Sequence, residues 1–195
     1  PPAYPGAPSY VPLDLDGVGD FGATNALLEE GVAVSMLADG SAVVDKAAFA
    51  AVAAVSEEFD IAFEPATDAD LDALDDATTK PLKDLKIAFV GSADDRLALG
   101  QLGFDDLVQV TAASINANPA LLADVDVLWI GSTFTTTGDS NAPVRGAVQA
   151  LLDRGGALTG RAAAGFNAAR DFGLMTGTAV SQATLDQAVA KRETA

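Results

Sequence analysis

Apolar residues recur along this chain in two rhythms, and the change falls near Lys86. Before it the spacing is mixed. Phe21 to Glu30 (FGATNALLEE) carries apolar residues at helical spacing, with Gly31 as its C-terminal stop. Val32 to Leu37 alternates like a strand, Ala38-Asp39-Gly40-Ser41 carries the Asp-Gly signal of a hairpin turn, and Ala42 to Val44 returns as the second strand. Asp45 has the chemistry of an N-cap for a helix running to about Phe59. Asp60 to Phe63 reads as another short strand.

From Lys86 the rhythm is regular. Lys86-Ile-Ala-Phe-Val-Gly91 is a continuous apolar run ending in Gly, the pattern of a parallel strand buried on both faces. Ser92 to Leu102 follows as a helix closed by Gly103, then Leu107 to Val110 as a strand and Asn118 to Ala123 as a short helix. Val125 to Gly131 is a third strand. Pro143 to Leu152 is a helix with Ser140 or Asn141 near its cap, and Ala157 to Gly160 is a fourth strand leading into another helix. Strands alternating with helices predict a doubly wound, mostly parallel α/β sheet. Ligands of such sheets sit at the carboxyl ends of the strands. Here those ends are Gly91-Ser92, Gly131-Ser132-Thr133 and Gly160-Arg161, which makes Ser92, Gly131, Ser132, Thr133, Gly160 and Arg161 the candidate ligand contacts.

The expected organisation is a Pro-rich linker over 1–19, a small α+β lobe over 20–64 and an acidic hinge over 65–85. An α/β domain over 86–180 and a C-terminal helix or tail over 181–195 complete it. The linker rests on Pro1, Pro2, Pro5, Pro8 and Pro12. A short acidic helix is expected inside the hinge. The start at Pro1-Pro2, without Met, reads as a fragment of a longer polypeptide.

Composition narrows the function. Lys+Arg total 11 against Asp+Glu 28, a formal net charge of -17, which repels nucleic-acid backbones and anionic membrane surfaces. No run is long and apolar enough to span a bilayer. The chain has no Cys and no His. It therefore has no thiolate nucleophile, no imidazole base near neutral pH and none of the softer zinc ligands.

Several motifs invite chemistry and offer a plainer reading beside it. Gly160-Arg-Ala-Ala-Ala-Gly165 has the small residues of a nucleophile elbow, yet Ala162 stands where Ser or Cys would be. A close-packed turn selected for small side chains reads equally well. Asp94 and Asp95, opening the helix after Gly91-Ser92, suit a helix N-terminus and repel a phosphate there, so capping is the expected role. The hydroxyl-rich Gly131-Ser-Thr-Phe-Thr-Thr-Thr-Gly138 could bond a sugar or peptide. Ser132 has no His to activate it, and no S-x-x-K is present. The runs from Asp14 and from Asp68 miss the Gly and Glu of a calcium loop.

The order strand, helix, strand, helix, strand, small-residue turn is similar to the class I glutamine amidotransferase-like fold, a flavodoxin-like sheet. Laid on that family's G-x-C-x-G turn, Gly160 matches the first Gly, Ala162 falls on the Cys and Ala164 on the second Gly, so glutaminase activity is not implied. A closer resemblance is to the amidotransferase-like domain of large bacterial zinc carboxypeptidases. Its marks are Asn25-Ala-Leu-Leu-Glu-Glu-Gly31 with Asp39-Gly-Ser-Ala-Val-Val44, Pro81-Leu-Lys-Asp-Leu-Lys-Ile-Ala-Phe-Val90, and Gly155-Gly-Ala-Leu-Thr-Gly160 through Gly165-Phe-Asn-Ala-Ala169. This resemblance implies a non-catalytic accessory domain of a secreted zinc-dependent peptidase, with no metal in this chain. Its partner would be the catalytic domain of the same polypeptide, where the zinc would reside. The residues alone also leave open an independent sugar- or peptide-binding module at the strand ends. A hydrolase using carboxylates is open too, supported only by the abundance of Asp.

Overall fold

The computed structural model describes residues 10–13, 15, 17–45 and 48–174. The first strand, β1 (Tyr10–Leu13), lies within the stretch expected to be linker, paired antiparallel with Ala42–Asp45. Helix α1 (Val18–Glu29) begins earlier than the apolar spacing predicted, because the Asp20 carboxylate accepts the Gly17 N–H at 2.7 Å and fixes the first turn. Strands β2 (Val34–Met36) and β3 (Ala42–Asp45) form the predicted hairpin. Asp39 Oδ1 accepts from the Ser41 N–H at 3.0 Å and its hydroxyl at 2.7 Å, and Gly40 takes the positive φ of the turn.

Asp45 is not the predicted helix cap. It is the last residue of β3, paired with Tyr10, and α2 (Phe49–Phe59) starts after it. Nor do residues 60–63 form a strand. The Ser56 carbonyl accepts the Ile61 N–H at 3.1 Å, and the Ser56 hydroxyl donates to the Ile61 carbonyl at 2.6 Å. Both ladder groups of Ile61 are thus spent closing α2. The short acidic helix exists as α3 (Asp68–Leu74), capped by Thr67. The hinge also supplies β4 (Lys80–Pro81), so the first sheet runs β1-β3-β2-β4, wholly antiparallel. Ala23, Leu27, Val34, Val44, Val52 and Val55 are buried together where α1 and α2 cover this sheet.

The second sheet is parallel throughout, in the order β6-β5-β7-β8. It follows the chain as β5 (Ile87–Val90), α4 (Ala93–Gln101), β6 (Leu107–Gln109), α5 (Ala112–Ala117), β7 (Val127–Ile130), α6 (Ala142–Asp153), β8 (Ala157–Gly160) and α7 (Ala162–Asp171). All four residues of β5 are buried, as its unbroken apolar run predicted. Ala88, Val90, Leu128 and Ile130 pack beneath Ile115, Val144, Val148, Leu151 and Ala168, which puts α5, α6 and α7 on one face. Ile87 and Phe89 pack against Leu99 of α4 on the other. This is the doubly wound, flavodoxin-like architecture with a small antiparallel sheet beside it.

One helix differs from expectation. Residues 119–122 form a 3-10 turn, and the helix proper is α5 before it, with Thr111 accepting the Ser114 N–H at 3.0 Å as its cap. Ala112–Ala117 contains one large apolar residue, Ile115, too few to show a period. The sheets meet where α1 abuts the end of α4. Asn25 Nδ2 donates to the Leu102 carbonyl at 2.7 Å, and a Cβ on Gly103 would lie 2.8 Å from the Gly22 Cα.

Candidate functional site

The carboxyl ends of β5, β7 and β8 converge as predicted, and one residue holds them together. That residue is Asp95. Ser92 caps α4, its hydroxyl accepting the Asp94 N–H at 3.2 Å, and this places Asp95 three residues into the helix with its carboxylate turned back over the strand ends. The side chain is only 2% exposed. Oδ2 accepts from the Ser92 N–H at 2.9 Å, the Ser92 hydroxyl at 3.3 Å and Arg161 Nη2 at 3.2 Å. Oδ1 accepts from Trp129 Nε1 at 3.3 Å and lies 3.0 Å from Arg161 Nε. Arg161 Nε also donates to the Gly131 carbonyl at 3.2 Å. Three strand ends are thereby tied to one carboxylate.

The two glycines at these ends are required by that carboxylate. A Cβ built on Gly91 would sit 2.6 Å from the Asp95 Cγ, and one on Gly131 2.5 Å from it. No side chain fits at either position while Asp95 fills the space between. Burial alone would push the Asp95 carboxyl up. The Ser92 amide, the Trp129 indole and the Arg161 guanidinium outweigh it and hold the carboxyl below the usual aspartate range. A carboxylate so stabilised is a weak base, and its lone pairs are already engaged.

The sequence-predicted residues fall into three groups. Ser92, Gly131 and Arg161 meet around Asp95. Gly160 belongs to the turn behind them, where a Cβ on Gly165 would lie 2.5 Å from the Gly160 carbonyl carbon. That proximity favours the close-packed reading of the turn. Ala162 is the first residue of α7. Ser132 and Thr133 are exposed, and the Ser132 N–H donates to the Val90 carbonyl at 3.1 Å. Part of the hydroxyl-rich loop is bonded to the helices beside it. Arg145 Nη1 donates to the Thr136 and Gly138 carbonyls, both at 2.7 Å, and the buried Thr136 hydroxyl lies 3.2 Å from Asp171 Oδ2.

Asp95 and Trp129 are the residues that sequence reasoning missed as parts of this centre. Asp95 was visible only as a cap. Its pairing with Arg161 joins positions 66 residues apart and leaves no local signal. Among the described residues no group of three or more acidic side chains is placed to hold a metal ion. The runs from Asp14 lie partly outside the described residues, and those from Asp68 are spent in α3 and its cap. No described helix is long and apolar enough to cross a membrane. No family model, no curated protein and no solved structure matches the chain.

Proposed function

We propose that this chain is a non-catalytic accessory domain of a secreted zinc-dependent carboxypeptidase, serving interdomain packing or substrate positioning. The observation that carries the non-catalytic part is the crevice itself. Where doubly wound sheets receive ligands, this one holds its own carboxylate, paired, desolvated and flanked by glycines. The sequence offers no Cys or His to act beside it. A small ligand entering between β5 and β7 would first have to displace Asp95 from four donor groups. The assignment to a carboxypeptidase rests on the three sequence segments that resemble that family's domain, and so does secretion.

The test is capture of the native polypeptide with an antibody to this domain, followed by intact mass, zinc content and assay of C-terminal residue release from peptides. A chain much longer than this one, holding zinc and releasing C-terminal residues, is the expected result. A free species of this size without zinc overturns the proposal.

A further inference from the structure

Helix α6 turns Val144, Val148 and Leu151 into the core. Along its outer side, between it and the 3-10 turn Pro119–Leu122, runs an open groove of about 480 Å³. Pro143, Gly146, Ala147 and Ala150 form the α6 wall, Arg154 stands beyond them, and no carboxylate lines the groove. Gly146 is the informative residue. It lies inside a helix of 12 residues, where glycine is weaker than alanine. Around Asp95, each glycine is kept bare by an atom of this chain. A Cβ on Gly146 would meet no described atom within 4 Å apart from its own helix backbone. Packing within one copy therefore does not call for glycine here, whereas the close approach of a second helix does.

We propose that this groove is the contact face of a weak, two-fold symmetric dimer in which α6 packs antiparallel on α6 of a second copy. Charge sets the register. Asp139, in the 3-10 turn Asp139–Asn141, is followed by Pro143, Gly146, Ala150 and Arg154 at i+4, i+7, i+11 and i+15, the spacing of one helix stripe. An antiparallel copy centred between Gly146 and Ala147 sets Pro143 against Ala150 and Arg154 against Asp139. Two-fold symmetry forms that ion pair twice. Arg154 Nη2 donates to the Leu122 and Val125 carbonyls, which holds the guanidinium beside the groove. Among the described residues neither Arg154 nor Asp139 has an ion pair within its own chain. The stripe is thus complementary to itself, which favours a copy over an unrelated occupant. Association is weak for two reasons. The net charge of -17 on each chain opposes it. A helix of 12 residues also rises only about 18 Å, too short to bury the roughly 800 Å² per partner of a stable complex. This inference is independent of the proposed carboxypeptidase link.

Sedimentation equilibrium of the full chain up to about 1 mM, in salt of about 0.15 M, should show a reversible monomer–dimer equilibrium. G146Q places a side chain where one copy alone has room. It should keep or raise the parent's urea midpoint while raising the dimer dissociation constant about ten-fold or more. D139K sets like charges together and should weaken the dimer similarly. D139K/R154E reverses both members of the pair and should return to within about three-fold of the parent. R154E gives up the bonds to the Leu122 and Val125 carbonyls, so the urea midpoint of the double variant is read first. Where it does not fold, G146Q and D139K decide. A chain that stays monomeric at every concentration overturns the proposal. So does a G146Q or D139K chain that dimerises as tightly as the parent, or a folded D139K/R154E no tighter than D139K.

Discussion

The two ends of the parallel sheet use ion pairs in opposite ways. At the carboxyl ends one carboxylate is withdrawn from water and meets a guanidinium, an indole, a backbone amide and a hydroxyl. At the amino ends Lys83 pairs with Asp126, and Lys86 reaches Asp124 at 2.7 Å and Asp106 at 3.9 Å, with most of these heads in solvent. Both ends hold charges close together. Only at the carboxyl end does the packing depend on them, because glycines at two strand ends and an inward-turned Trp are built around a single side chain. Exposed pairs contribute little, whereas an interior carboxylate surrounded by donors is costly to disturb.

The largest effect should follow from Asp95 itself. All its partners are donors, so D95N places an NH2 group where at least one contact becomes donor against donor, and D95A leaves the Ser92 amide and Trp129 indole unmet. Arg161 keeps 55% of its side chain in water, so its freed charge is screened and the loss comes mainly from the unmet donors. Either variant should lose about 2–3 kcal/mol in urea unfolding. An unchanged midpoint would show that the clasp carries none of the stability.

G131A comes next and sharpens the cause. Its Cβ would collide with the Asp95 carboxylate, an overpacking expected to cost about 1–3 kcal/mol. In D95A/G131A the obstacle is gone, so the double variant should be no worse than D95A. Simple additivity would place the glycine requirement elsewhere, in the backbone of the turn.

How much of this was legible beforehand depends on the range of the signal. β5 announced itself because burial on both faces demands an unbroken apolar run, and Ser92 and Pro143 marked helix starts through chemistry contained within one turn. β1 was hidden by Pro12, which an edge strand tolerates, and α5 by its single large apolar residue. The strand ends were located correctly as a place. What fills them was not, because the Asp95–Arg161 contact spans 66 residues and either residue alone reads as ordinary helix-end chemistry. The glycines were a partial clue. Gly at two neighbouring strand ends, with an acid three or four residues after one of them, is what a buried carboxylate between them requires.

Acid should separate the same variants more gently. The Asp95 carboxyl lies below its unfolded value of about 3.9, so the stability it contributes is complete above that value and is lost as pH falls through the lower, folded one. D95N lacks this contribution at every pH. The gap between parent and D95N urea midpoints should therefore be widest near neutrality and narrow steadily below about pH 4. A gap of constant size down to pH 2 would mean that the Asp95 ionisation is not linked to folding.

The smallest effect belongs to the amino ends, and its smallness is the point. The hydrogen bond to Asp124, with Asp106 and Asp124 nearby, raises the Lys86 ammonium above its usual range. Whatever stability this gives is present below the unfolded lysine value of about 10.4 and fades as pH climbs through the raised one. The Asp106 and Asp124 carboxylates that face Lys86 are 53% and 68% exposed, so salt at about 0.15 M screens these pairs over roughly 8 Å. K86Q should leave the urea midpoint at pH 7 unchanged in that salt and lower it slightly only near 0.01 M, where the screening length grows to about 30 Å. A loss in high salt comparable to that of D95N would show that an exposed ion pair clamps this sheet as firmly as the buried one. The contrast between its two ends would then lie in position alone, with water making no difference to what each charge contributes.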